Sequence, residues 1–306
     1  MGADAVTGWD ATLQAGIDRL WIEAQGTGES ARDEIRLALR ERGFALVRGL
    51  GAPADGESFK ATYRRFGDSL GTVVKQNLRG SMLEDICNFS DVDGFDNRGY
   101  RSGGELSMHT DPPTLLTLYC VRPARSGGAN HLVSIDAIHR EIEARRPDLL
   151  PALYESYHYW EPSELEAGMG TVSNWRRPVF TRRDGRVSCL YYRPFIERAA
   201  AESGLALTPQ QVAAFDCFDA VANDPRFMIE VPLAAGDCIV LHNRAVMHAR
   251  TDYEDWPERD RRRHLLRLWI DAPEIRPAAP AHCVGDYFEG GGTPTAPLRP
   301  SSEALS

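Results

Sequence analysis

The chain reads as a mainly β protein, with one antiparallel barrel or jelly-roll core and helices packed outside it. Two observations point there. Short apolar runs recur at Thr114 to Val121, His131 to Val133, Val187 to Tyr192, Ile229 to Val231, Cys238 to Leu241 and His264 to Ile270. The segments between them carry turn residues, as at Arg122-Pro123, Ser126-Gly127-Gly128 and Ala235-Gly236-Asp237.

The flanking helices follow from their own signals. Near Ser30 a helix begins, with Ser30 as its cap and Asp33 in its first turn; Ile35, Ala38 and Leu39 form its apolar stripe and Gly43 ends it. Phe44 to Val47 follows as a short buried strand, then Gly49 and a Gly/Pro/Asp-rich turn. A second helix spans Glu57 to Phe66 and stops at Gly67. Ser134 caps a helix that presents Ile138 and Ile142 on one face until Pro147 interrupts it. Thr208-Pro209-Gln210-Gln211 is a capping box with proline in the first turn, opening a helix through Val212, Phe215 and Ala222. Beyond Arg276 the composition turns to Pro, Gly and Ala. The expected organisation is a single domain over residues 1–280 and a mobile tail over 281–306 that includes Gly290-Gly291-Gly292.

Bulk properties exclude several classes. The 306 residues are 42% hydrophobic and 26% charged, ordinary values for a protein with a sizeable core. A formal net charge of −9 argues against a general nucleic-acid binder, although Arg259 to Arg267 is a local basic stretch able to meet an anion. The six cysteines (Cys87, Cys120, Cys189, Cys217, Cys238, Cys283) include no C-x-x-C pair and read as buried thiols in a reducing cytoplasm. Met1-Gly2-Ala3-Asp4 has no signal-peptide character, and no apolar run approaches membrane-spanning length. The expectation is a cytoplasmic protein acting on a small molecule, without nucleic acid or membrane partners; a homo-oligomer stays open.

The chemistry starts at His109-Thr110-Asp111. Residues two apart in a strand share a face, so both side chains can reach one ion, and Pro112-Pro113 ends the segment rigidly. Alone, the pair reads equally as a surface turn. Downstream, His248 is the candidate third ligand, with His242 as its competitor on the preceding strand; the acidic loop and arginine-bearing strand after His248 favour it. Two imidazoles and one carboxylate can hold Fe(II) on one face and leave three positions open. Zinc accepts the same set, with Glu105 as a base, but then the arginines go unexplained. Arg263 and Arg267 stand four apart, so both project from one face while His264, Leu266 and Leu268 face the other way. Burying two arginines without anionic partners is costly, which predicts an anion there. Arg261 and Arg262 read as a solvated basic run beside Glu258 and Asp260.

These pieces resemble the Fe(II)- and 2-oxoglutarate-dependent dioxygenases of the taurine dioxygenase-like (TauD/TfdA) family. The resemblance is carried by Met108-His109-Thr110-Asp111, the Pro123 to Gly128 turn, Gly236-Asp237, His248-Ala249-Arg250-Thr251, Asp255-Trp256-Pro257 and Arg263 to Ile270, over about residues 30 to 280. It implies the double-stranded β-helix (cupin-like) version of the jelly roll. It implies His109, Asp111 and His248 as iron ligands, Arg263 as partner of the distal carboxylate of 2-oxoglutarate, and Arg267 near the substrate. Members often carry a threonine where this chain has Asn130; the resemblance assigns Asn130 to the cosubstrate. The implied reaction consumes O2 and 2-oxoglutarate, releases succinate and CO2, and oxidises an unactivated C–H bond. Related halogenases replace the metal-binding carboxylate with a small residue, so Asp111 makes hydroxylation the default, with desaturation or cyclisation as alternatives.

The substrate is less legible. A small polar or anionic metabolite, such as an amino acid or derivative, fits the arginines. Asn88 opens a polar, aromatic and glycine-rich segment up to Gly104 that reads as a lid or as a plain surface loop, and Asn88 and Tyr192 are candidate substrate contacts. Asp91, Asp93 and Asp96 do not follow a calcium-loop spacing. A jelly-roll binding protein without catalysis is the rival class.

Overall fold

A computed structural model describes residues 9, 11–24, 28–51, 57–77, 79–91, 99–162 and 169–282. In chain order the elements are α1 (Ala11–Ala15), β1 (Trp21–Glu23), α2 (Glu29–Arg42), β2 (Phe44–Arg48), α3 (Glu57–Leu70), β3 (Thr72–Val74), β4 (Leu83–Cys87), β5 (Leu106–His109), β6 (Leu115–Arg122), β7 (Ser126–Gly127) and β8 (Asn130–Ser134). They continue with α4 (Ile135–Arg145), α5 (Leu150–Tyr154), β9 (Ser156–Tyr157), β10 (Trp160–Pro162), β11 (Gly170–Val172), β12 (Arg177–Pro178), β13 (Phe180–Arg183), β14 (Arg186–Cys189), α6 (Arg193–Ser203) and α7 (Pro209–Ala222). The last are β15 (Met228–Val231), β16 (Cys238–His242), β17 (Val246–Arg250), β18 (Tyr253–Glu254) and β19 (His264–Asp271).

Two sheets form the core. The larger runs β1-β2-β16-β6-β19-β3, with β4 also paired to β19; the smaller runs β15-β8-β17-β5. Between them sits an apolar cluster drawn from both: Phe44, Leu116, Ile239 and Trp269 from one, Leu132 and Val246 from the other. This is the mainly β, jelly-roll architecture expected from the sequence. Outside the larger sheet, α2 and α3 cover Val47, Val240, Leu266 and Leu268. Outside the smaller one, α4 to α7 and the small hairpins cover Val133, Met247 and Ala249. Among the described residues one ladder departs from the antiparallel pattern: β1 pairs with β2 in parallel, Ile22 opposite Val47.

Local signals held unevenly. Gly43 ends α2 in the left-handed conformation at φ 82°, and an added Cβ would lie 2.6 Å from Val246 Cγ2. The N-cap of α2 is Gly28 rather than Ser30, which lies inside the first turn. Gly67 does not stop α3, which runs on to Leu70. Its role is close approach: a Cβ there would lie 2.6 Å from Leu268 Cδ1 and 2.9 Å from Val73 Cγ2. Ser134 caps α4 through the Ala137 N–H, and Thr208 and Gln211 make the full capping box of α7. The strand read to Tyr192 ends at Cys189, because Tyr192 already caps α6 with Pro194 in its first turn.

Cys87, Cys120, Cys189, Cys217 and Cys238 are free thiols, three of them buried. Among the described residues no helix is long and apolar enough to cross a membrane. At the start of the expected tail, Ala281 accepts from Arg177 and the buried His282 bonds Thr181 and the Pro178 carbonyl. The N-terminal tetrapeptide, the turn at 52–56, Asp93 and Asp96, Cys283 and the Gly290 run lie outside the described residues.

Candidate metal centre

Strand parity selects what faces the space between the sheets. On β17, Met247 and Ala249 pack outward, so Val246, His248 and Arg250 point inward. β5 pairs antiparallel with β17 and sets His109 opposite His248, ring centroids 4.2 Å apart. The residue after His109 is held outward. Thr110 N–H donates to the Tyr191 carbonyl at 3.0 Å, and Thr110 Oγ1 accepts from the Tyr191 N–H at 3.0 Å. Asp111 therefore turns in.

Asp111 Oδ1 lies 4.0 Å from His109 Nε2, and Oδ2 lies 3.9 Å from His248 Nε2. One donor atom from each of the three falls within 4.8 Å of the others. His109 Nδ1 is 2.8 Å from the Ser107 carbonyl, which can only accept; Nδ1 thus carries the proton and the Nε2 lone pair is left for a metal. Burial, then the charges of His109 and Arg267, push His248 down to about 3 against the opposing pull of Asp111, so its imidazole is neutral near pH 7. Burial lifts Asp111, but His248, Arg267, His109 and the Trp269 indole outweigh it, and the carboxyl titrates below its ordinary range. Two imidazole nitrogens and one carboxylate suit a divalent cation.

His242 is excluded from this group by its face. Ile239 and Leu241 of β16 point between the sheets, whereas Cys238 and Val240 point toward α2 and α3, and His242 shares their parity. Its Nδ1 accepts from the Arg244 N–H at 3.2 Å.

The turn between β16 and β17 supplies a support that sequence reading missed. Asn243 Oδ1 accepts from the Asp111 N–H at 3.2 Å, and its Nδ2 donates to the Pro113 carbonyl at 3.0 Å. The Arg244 guanidinium donates to the carbonyls of Pro112 and Asp111. Both residues are fully buried, so the backbone through Asp111-Pro112-Pro113 is gripped from beneath. Their only sequence signal is their position just before the His248 strand.

Arg263 and Arg267 lie on the inner face of the β19 line, with Leu266 and Leu268 outward, as the spacing predicts. Arg263 is 3% exposed, and its Nη1 is buried without a hydrogen-bond partner among the described residues. Gly128, at φ 74°, leaves room for it: a Cβ there would lie 3.2 Å from Arg263 Nε. Arg267 Nε donates to Gln76 Oε1 at 2.7 Å, and Arg267 stands opposite Glu84, which is held by Asn77 and Arg101. Asn130 faces inward opposite Arg250 and spends one amide N–H on the Val231 carbonyl. The Tyr192 ring lies 5.7 Å from that of His109. Asn88 Oδ1 accepts from the Ser90 N–H in a local turn, and its Nδ2 packs beside Gly103. Glu105, the base a zinc hydrolase requires, is exposed.

A buried guanidinium nitrogen without a partner calls for an anion, so Arg263 fits a carboxylate cosubstrate as the His-Asp-His cluster fits iron.

The chain matches the model of the taurine catabolism dioxygenase TauD, TfdA family over residues 19–269. It is 28% identical over 279 residues to FR-33289 synthase of Streptomyces rubellomurinus, covering 89% of this chain and 79% of that protein. It is 32% identical over 162 residues to a uridine-5'-phosphate dioxygenase of an Amycolatopsis species, covering 51% of this chain and 55% of that one. Among solved structures, an asparagine oxygenase with Fe(II), hydroxyasparagine and succinate shares the fold at a TM-score of 0.64 and 16% identity, over 80% of each chain. The non-heme iron oxygenase OrfP with iron and α-ketoglutaric acid does so at 0.59 and 16%, over 88% of each. The chain belongs to the taurine catabolism dioxygenase TauD, TfdA family, and it is a dioxygenase that uses Fe(II), 2-oxoglutarate and O2.

Proposed function

We propose that this enzyme hydroxylates an unactivated C–H bond of a small anionic metabolite, such as an amino acid or derivative. His109, Asp111 and His248 hold the iron, Arg263 with Asn130 takes the distal carboxylate of 2-oxoglutarate, and Arg267 and Tyr192 face the substrate. The observation that carries this reading is the inner face itself. The His109, Asp111 and His248 donor atoms lie within 4.8 Å of one another, and the buried Arg263 and Arg267 share the strand parity of Trp269, which packs between the sheets.

When bound, iron, 2-oxoglutarate and O2 supply the oxidising power, with succinate and CO2 as coproducts. The protein's part is placement. The proton on His109 Nδ1 fixes which nitrogen faces the metal. The grip of Asn243 and Arg244 holds the Asp111 backbone against drift. Arg267 sits beside Asp111 and so brings an anionic group close to the metal, while Gln76 orients its guanidinium. Retention of the Asp111 carboxylate leaves no ligand position for chloride, which favours oxygenation.

A panel of amino acids, N-acyl amino acids, phosphate esters and phosphonates, with neutral analogues of equal size, tests the reading by succinate release under O2. Stimulation is expected only from anionic members. Stimulation by a neutral analogue, with none from its anionic counterpart, would sink the proposal.

A further inference from the structure

We infer that Arg250 and the Tyr253 hydroxyl form the second half of the clamp on the distal carboxylate of 2-oxoglutarate, opposite Arg263. The inference rests on the proposed placement of that carboxylate at Arg263. Arg250 is 5% exposed and follows His248 by two residues on the inner face of β17, directly across from Asn130. Its Nη2 donates to the carbonyls of Ser102 and Gly104, but Nε and Nη1 are buried without partners. The Arg250 and Arg263 guanidinium carbons lie 4.8 and 5.0 Å from the centre of the Tyr253 ring. Tyr253 also buries its hydroxyl with no acceptor for its proton, beside the Arg263 guanidinium.

Donor supply and charge both match one carboxylate. Arg263 Nη1, Arg250 Nε and Nη1, and the Tyr253 hydroxyl are buried donors lacking acceptors in one neighbourhood. A carboxylate offers about four acceptor sites on its two oxygens. Two guanidiniums stand against one buried acid oxygen, Asp255 Oδ2, whose partner Oδ1 accepts from the Arg263 N–H; a single monoanion balances the group. Arg250 and the Tyr253 N–H, which donates to the Gly103 carbonyl, also tie this clamp to the segment entering β5.

The test is 2-oxoglutarate binding to the Fe(II) protein under nitrogen, read by calorimetry and by visible charge-transfer absorption. 2-Oxobutyrate, which lacks the distal carboxylate, is titrated in parallel. Arg250→Met is expected to weaken 2-oxoglutarate by about tenfold or more and 2-oxobutyrate by less than about twofold. Tyr253→Phe, which removes only the hydroxyl and decides the matter if Arg250→Met does not fold, is expected to weaken 2-oxoglutarate alone by about fivefold. Unchanged 2-oxoglutarate binding in Tyr253→Phe and Arg250→Met overturns the inference. So does equal weakening of both ligands, since Arg250 then acts only through the fold. Failure of the wild-type protein to bind 2-oxoglutarate strikes instead at the placement on Arg263.

Discussion

Thr110 and Tyr191 are bonded in both directions, backbone N–H of the first to the carbonyl of the second, and backbone N–H of the second to the hydroxyl of the first. The pair pins the one residue between two metal ligands to the outer wall, and so aims His109 and Asp111 at the same point. Thr110→Val keeps the shape and removes the acceptor. Fe(II) affinity is expected to fall by about tenfold, as when groups that orient metal ligands are lost. Anaerobic Fe(II) titration measures it, and wild-type affinity would show that packing alone sets the loop.

The two histidines on either side of the β16–β17 turn separate cleanly. In His248→Ala, the visible band of the Fe(II)–2-oxoglutarate protein is expected to vanish. In His242→Asn it should persist, because His242 is buried outside the His-Asp-His cluster and its Nδ1 is taken up by the Arg244 N–H. A lost band in the second variant and a retained one in the first would reverse the ligand assignment.

Arg263→Ala should raise the 2-oxoglutarate requirement by about a hundredfold, because truncating one member of a buried charge pair costs about 3 kcal/mol. Steady-state KM for 2-oxoglutarate is the readout. An unchanged KM moves the anchor to another arginine.

Acid stability follows from histidines buried in the neutral form. Burial first, with nearby arginine charges adding to it, pushes His242 and His282 down to about 3. The unfolded chain protonates these rings near pH 6.5, the folded one only near pH 3, so the unfolded state binds more protons between. Stability is therefore full above about pH 6.5 and falls as the pH drops toward 3, by about 1.4 kcal/mol per pH unit for each ring. Urea midpoints from pH 7.5 to 5.5 should decline accordingly, and His282→Asn should flatten the decline. An equal slope in that variant would remove His282 from the account.

Much of this was legible in local pattern. Period-two spacing put Arg263 and Arg267 on one face, and the caps at Ser134 and Thr208 were read correctly from single residues. Gly67 reads as a helix end because a glycine that ends a helix and one that admits a neighbour look alike in sequence; only Leu268 and Val73, brought there by β19 and β3, distinguish them. Asn243 and Arg244 are illegible for the same reason, since the carbonyls they grip come from far along the chain.

By itself, the order of residues determined the ligand types, the same-face arginines and the alternation that makes a jelly roll, all consequences of backbone geometry within one strand. Tertiary structure decided the rest. It set His248 beside His109 and Asp111 and left His242 outside that cluster, because the strand carrying each belongs to a different sheet. It also brought the Arg250 and Arg263 guanidiniums to within 4.8 and 5.0 Å of the Tyr253 ring and buried polar atoms of all three without partners, since only non-local packing decides which groups lose water.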